Sequence, residues 1–145
     1  MTNAPHQTVL LADGDVIVRH LVAEYLRACG HKVLEAASCE EAKAILQAGI
    51  EINSVLSDAE LAGGESGFAL AHWIRRYRPK IEVVLSSTVI AKAQVASEFC
   101  ARFPTQPPCD SAGLAARIRA LSVARRRRGR PSASPVTARK RRRLS

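Results

Sequence analysis

Aromatic side chains are scarce in this chain. One Trp, two Tyr and three Phe make up 4% of 145 residues, so any core must be built from aliphatic side chains and alanine. Long apolar runs are missing too. None approaches the roughly 20 residues needed to span a bilayer, and no basic-then-apolar leader opens the chain. Neither a membrane span nor a secretory signal is expected, and the chain is expected to be cytoplasmic. Collagen-like and heptad repeats are also absent. The four cysteines, Cys29, Cys39, Cys100 and Cys109, show no C-x-x-C spacing. With nothing pointing to secretion they are expected to be reduced thiols, mostly small buried apolar residues. Acidic residues are missing from residues 123–145, which hold ten Lys or Arg. The first 122 residues carry 12 basic and 13 acidic side chains, a net of −1, although the whole chain is at +9. A near-neutral body therefore carries a strongly cationic appendage, and the length suits one domain of about 100–150 residues plus that appendage.

The body alternates between two periods. After a polar leader (1–7), Thr8–Ala12 (T-V-L-L-A) is the short apolar run of a strand buried on both faces. Val18, Leu21, Val22, Tyr25, Leu26 and Cys29 then recur at helical spacing up to Gly30. The same change repeats: a strand at Lys32–Ala36, a helix at Cys39–Ala48 capped by Ser38 and stopped by Gly49, and a strand at Asn53–Ser57. A helix carrying Leu70, Trp73, Ile74 and Tyr77 follows, then a strand at Ile81–Ser86 and an Ala-rich helix at Ile90–Ala101. Arg102–Thr105 is expected as a short fifth strand, and Leu114, Ile118 and Leu121 mark a last helix. Strand and helix alternating with short connections predict a doubly wound five-stranded parallel sheet, flavodoxin-like (βα)5. Residues 8–122 form the domain. Residues 123–145, with two prolines and unbroken positive charge, are expected to be a disordered tail.

In open α/β sheets, sites form beyond the carboxyl ends of the strands. Asp13-Gly14-Asp15 follows the first strand, Asp58 the third and Ser87-Thr88 the fourth. Gathered carboxylates suit a hard divalent cation, and a carboxylate can also attack phosphorus to give an aspartyl phosphate. Plainer roles stand beside these. Asp58 would serve as an Asx-turn residue, Asp15 as the N-cap of the first helix and Ser87 as a loop hydroxyl, while His20 and His72 fall off the apolar stripes as surface histidines. No His joins Ser or Cys at a triad-like spacing, and Gly63, Gly64 and Gly67 lack the G-x-G-x-x-G arrangement.

Five segments together resemble the receiver domain of bacterial two-component response regulators. They are V-L-L-A-D-G-D-x3-R (Val9–Arg19), V-L-S-D (Val55–Asp58), G-F-A-L-A (Gly67–Ala71), V-V-L-S-S-T (Val83–Thr88), and P-C-D followed by L-x3-I-x2-L (Pro108–Leu121). The resemblance covers roughly residues 8–122 and lies in order and spacing, since each segment alone is unspecific. It implies a non-enzymatic phosphorelay module that receives a phosphoryl group from a sensor histidine kinase or phosphotransfer protein. Asp58 would be the phosphoacceptor, Ser87 the hydroxyl that tracks the phosphoryl group, and Asp13, Asp58 and the Glu60 carbonyl the ligands of Mg²⁺. Three departures stand out. Gly14 replaces the second acid, Gln106 or Pro107 stands where the family has a lysine, and Leu61-Ala62 replaces Met-Pro. Removing one preorganised donor from an electrostatic site costs about 10²–10³ in rate. Weak or conditional Mg²⁺ binding and impaired phosphorylation are therefore expected, unless Asp15 or Gln106 substitutes. In the tail, Arg128-Gly129-Arg130-Pro131 resembles an AT-hook core, which implies a segment lying in the minor groove of A·T-rich DNA. As the other reading, the chain is a small nucleic-acid-binding protein with its fold as scaffold.

Overall fold

The computed structural model describes residues 6–103 and 106–129, and of 126–129 the backbone alone. Four parallel strands, β1 (Thr8–Ala12), β2 (Lys32–Ala36), β3 (Ser54–Asp58) and β4 (Glu82–Ser86), form one sheet in the order β2-β1-β3-β4. Five helices, α1 (Val16–Ala28), α2 (Cys39–Gln47), α3 (Gly67–Tyr77), α4 (Val89–Ala101) and α5 (Ser111–Gly129), cover both faces. Successive side chains of a strand point to opposite faces. Val9 and Leu11 of β1 accordingly enter one core with residues of α1, α4 and α5, while Leu10 and Ala12 enter the other with residues of α2 and α3. The doubly wound α/β reading holds.

The helix boundaries follow local chemistry. Asp15 caps α1 by accepting from the amides of Ile17 and Val18 at 2.9 and 3.2 Å, and Ser38, Ser66 and Thr88 cap α2, α3 and α4 through their hydroxyls. Gly30 ends α1 with φ +94°, a backbone conformation open chiefly to glycine. Gly67 has a different constraint. A Cβ there would collide with the carbonyl oxygen of Asp58, so its lack of a side chain lets α3 begin hard against the end of β3.

Two expectations fail in the last third of the chain. The strand expected at Arg102–Thr105 does not form at Arg102 and Phe103, which lie in the turn ending α4, while 104 and 105 are outside the described residues. Among the described residues the sheet therefore has four strands, and β4, only half-buried, is one of its two edges. With no strand between them among the described residues, α4 and α5 pack against each other as a helical hairpin. Arg117 of α5 lies 3.8 Å from Glu24 of α1, and Arg125 lies 3.8 Å from Asp15, so α5 climbs antiparallel to α1 toward the carboxyl ends of the strands. The tail expected from 123 is also helical as far as Gly129. Leu114, Ala115 and Ile118 anchor α5 in the core, and arginine is among the better helix formers, which carries the helix onward. Arg130, Pro131 and the block Arg139–Arg143 lie outside the described residues. Of the AT-hook-like segment, Arg128 and Gly129 are in the last turn of α5 and not extended.

The expected reduced cysteines need correction as well. Cys29 and Cys100 form a disulfide between the feet of α1 and α4, with Cα atoms 5.9 Å apart, while Cys39 (buried) and Cys109 (exposed) are free. His20 and His72 are exposed, as expected. His31 is buried at 4% exposure and packs edge-on against Phe99 and Phe103. Its Nδ1 accepts from the Gln7 amide at 3.0 Å, and its Nε2 has no hydrogen-bond partner among the described residues. Burial pushes the His31 pKa below its ordinary value, so the neutral ring's contribution is fully present above about 6.5 and is lost as pH falls through the folded value. Melting temperature should therefore fall between pH 7.5 and 5, and His31→Leu should flatten that slope. Equal slopes in the two proteins would show that His31 does not titrate on unfolding.

Candidate functional site: a lysine-bridged carboxylate pair

Asp13 follows β1 and Asp58 ends β3, and the two strands are neighbours, so the two carboxylates meet at one rim of the sheet. Asp13 is 2% exposed. Its backbone is fixed from two sides: its amide donates to the Ala36 carbonyl at 2.9 Å, and Arg19 Nη1 donates to its own carbonyl at 2.8 Å. The Asp58 end is tied to β4 by the Ala59 amide, which donates to the Ser86 carbonyl at 3.1 Å.

Lys92, in the first turn of α4, supplies what joins them. Its ammonium lies 2.8 Å from Asp13 Oδ2 and 2.9 Å from Asp58 Oδ2, with 11% of the side chain exposed. The other two carboxylate oxygens take backbone donors, Asp13 Oδ1 from the Asp15 amide at 2.9 Å and Asp58 Oδ1 from the Glu60 amide at 3.1 Å. Each of the four oxygens thus has a donor. Burial raises the Asp13 pKa against the pull of Lys92 and the Asp15 amide. Desolvation works to lower the Lys92 pKa, but its hydrogen bonds to Asp13 and Asp58 outweigh it and hold the value above normal. The result is a charged lysine between two carboxylates.

The remaining expected site residues lie at varying distances from this pair. Glu60 sits in the exposed turn after β3 with its amide on Asp58. Ser87 is exposed beyond the end of β4. The hydroxyl residue paired in register with Asp58, and lining the cleft, is Ser86. Gly14 offers no carboxylate, and Asp15 turns its Oδ1 to the amides of Ile17 and Val18 as the cap of α1. Gln106 and Pro107 precede α5 at the foot of the molecule, where the Tyr25 hydroxyl donates to the Cys109 carbonyl at 2.6 Å. They are remote from the rim, and the cation assigned to that segment by resemblance comes from α4 instead. Sequence reasoning missed Lys92. The available signal was that it is the one charged residue between Glu82 and Glu98, just after a strand.

These residues do not fit a hydrated divalent cation. Mg²⁺ demands octahedral oxygen donors and keeps several of its waters. The two oxygens that face each other already share an ammonium, and the cleft between Asp13, Asp58, Ser86 and Lys92 has about 10 Å³ of free space, at most one water. Among the described residues, no group of three or more His, Cys, Asp or Glu is arranged to hold a metal ion. Nor is any described helix long and apolar enough to cross a membrane.

No protein-family model matches the chain, and no curated protein does. Solved structures do match. A response regulator receiver protein from Pseudomonas putida is 26% identical, over 68% of this chain and 82% of that one, with a TM-score of 0.53. A Thermotoga maritima response regulator solved in complex with Mg²⁺ and BeF is 28% identical, over 55% and 67%, at 0.51. The non-phosphorylated receiver domain of HemR from Leptospira biflexa is 23% identical, over 55% of this chain and 62% of its own length, at 0.50. The last match thus spans less than two thirds of that neighbour. These likenesses show the fold: the chain has the receiver fold of bacterial response regulators.

Proposed function

We propose that this chain is a receiver-type signalling module, not a turnover enzyme, in which Asp58 stands at the phosphoacceptor position and its phosphorylation is impaired. The observation that carries this reading is the ammonium of Lys92 held on the facing oxygens of both rim carboxylates. An attacking carboxylate needs a free oxygen, and phosphoryl transfer needs charge neutralisation placed on the incoming group. Here the available cation is already paired with the nucleophile. Signalling would then work by protein contact at the same rim, with a sensor histidine kinase or phosphotransfer protein as partner. Val16, Phe68 and Ile90 open α1, α3 and α4 around it and are 50, 64 and 50% exposed, an apolar frame suited to a protein surface.

A second reading has one observation in its favour. Because α5 climbs to this rim, the arginine-rich sequence leaves the body beside Asp15 and not at the opposite end. A polyanion such as DNA held by those arginines, through counterion release, would lie next to the Asp58 face.

Mass spectrometry after incubation with Mg²⁺ and a small phosphodonor tests the impairment. The intact mass should stay unchanged over times that fully modify an active receiver, and rapid addition of one phosphoryl group at Asp58 would overturn it. In cells, Asp58→Asn should weaken the signalling phenotype through lost partner contact. If only truncation after Gly129 has an effect, the nucleic-acid reading replaces this one.

A further inference from the structure

We infer that Lys92 is the resident counter-ion of this rim: its ammonium occupies the place between Asp13 and Asp58 that a divalent cation would need, and so excludes one. The case rests on geometry and stands whether or not Asp58 ever carries a phosphoryl group. Both carboxylates are nearly buried, with side chains 3% and 16% exposed, so each requires a compensating charge within contact distance. One ammonium meets both, at 2.8 and 2.9 Å. The backbone amides of Asp15 and Glu60 hold the outer oxygens and aim the inner ones at a single point. That point is where a metal ion bridging the two acids would sit.

Two further features suit a permanent tenant. Gly14 removes a third carboxylate, so one positive charge faces two negative ones, a smaller imbalance than a divalent site with three acids would leave after losing its metal. The stem of Lys92 also belongs to a helix anchored at both ends. Thr88 caps it at the rim through a hydroxyl accepting from the Ala91 amide, and Cys100 bonds to Cys29 at its foot. The ammonium is delivered from a helix fixed at both ends and not from a mobile loop.

Divalent-ion titrations of the full chain test this, read as Mn²⁺ broadening and Mg²⁺ shifts of backbone amide resonances. The wild type and Lys92→Arg, which keeps the charge, should show no saturable effect at the amides of residues 13, 58 and 60 up to millimolar ion. Lys92→Gln should gain one there, with at least tenfold tighter apparent affinity, and Lys92→Gln/Asp58→Asn should lose it again. Saturable wild-type binding at those amides would overturn the inference without any variant. A folded Lys92→Gln protein that binds no better than wild type would overturn it too. Rapid addition of a phosphoryl group at Asp58 would overturn the proposed impairment and leave this titration result standing, so the two proposals fail separately.

Discussion

Lys92→Met is expected to destabilise the folded chain by about 3 kcal/mol at neutral pH, because removing one member of a buried ion pair strands the others. The figure is taken from the low end of the usual range, since Asp58 keeps 16% of its side chain exposed and can recruit water. Methionine preserves most of the stem's packing, which isolates the charge. The pH dependence has a definite sign. A lysine whose folded pKa is raised contributes stability in full below its unfolded value, about 10.5, and loses it as pH rises through the folded value. The gap between wild type and variant should therefore narrow above that point. It should also narrow in acid. Burial already raises the Asp13 pKa, and without the ammonium the Asp15 amide is its main remaining offset, so the stranded carboxyl takes up a proton more readily as pH falls. Urea melts at pH 4, 7 and 11 would read this out. A cycle with Asp58→Asn should give a double variant less destabilised than the sum of its singles, since the two removals share one interaction. A Lys92→Met protein within about 0.5 kcal/mol of wild type at every pH would mean that the bridge is solvent-screened and holds nothing together.

What could be read from the sequence, and what could not, divides along the range of the interactions. Strands such as Thr8–Ala12 and helices such as α1 are set by periodicity and by caps one to three residues away, and Asp15, Ser38, Gly30 and Gly49 behave as their local chemistry requires. The convergence of Asp13 and Asp58 followed from parallel strand order alone. Ser86 was missed in favour of Ser87 because a slip of one residue at a strand end is invisible until pairing with Asp58 fixes the register. The fifth strand failed for a reason already present in its residues: R-F-P-T holds one large apolar residue and a proline, which cannot donate to a ladder. Its loss had consequences no local pattern carries. Without that strand α4 lies over the α1 face, Lys92 reaches the acids, and α5 reverses. A lysine within an alanine-rich helix looks like a solvated surface position, and only the packing of α4 turns it into the partner of two carboxylates. The arginines misled in the opposite direction, since charge density alone suggested disorder where the anchored helix continues to Gly129.

The second large effect concerns Cys29 and Cys100, whose pairing depends on the same packing because 71 residues separate them. Cross-linking so long a loop restricts the unfolded chain, worth about 4 kcal/mol in the chain-entropy account. Alanine at both positions should lower the melting temperature by roughly 10–20 °C at the usual few degrees per kcal/mol. Cys29→Ala alone should cost nearly as much, since the loop constraint is lost when either sulfur is removed. Both sulfurs belong to residues 2% exposed or less, so thiol reductants should act slowly on the native protein and quickly once urea opens it. The native chain should accordingly weigh two hydrogens less than its fully reduced form, with Cys39 and Cys109 still open to alkylation after unfolding without reductant. The effect should also extend to the rim, because α4 is held at its foot by this bond and at its head by Lys92. In the alanine pair, amide exchange should quicken along α4 from Ala101 back toward Val89, and the Lys92→Met penalty should shrink as the helix loses its fixed position. Four alkylatable thiols in the unfolded, unreduced protein would show that the bond does not form and that α4 is anchored only at the carboxylates.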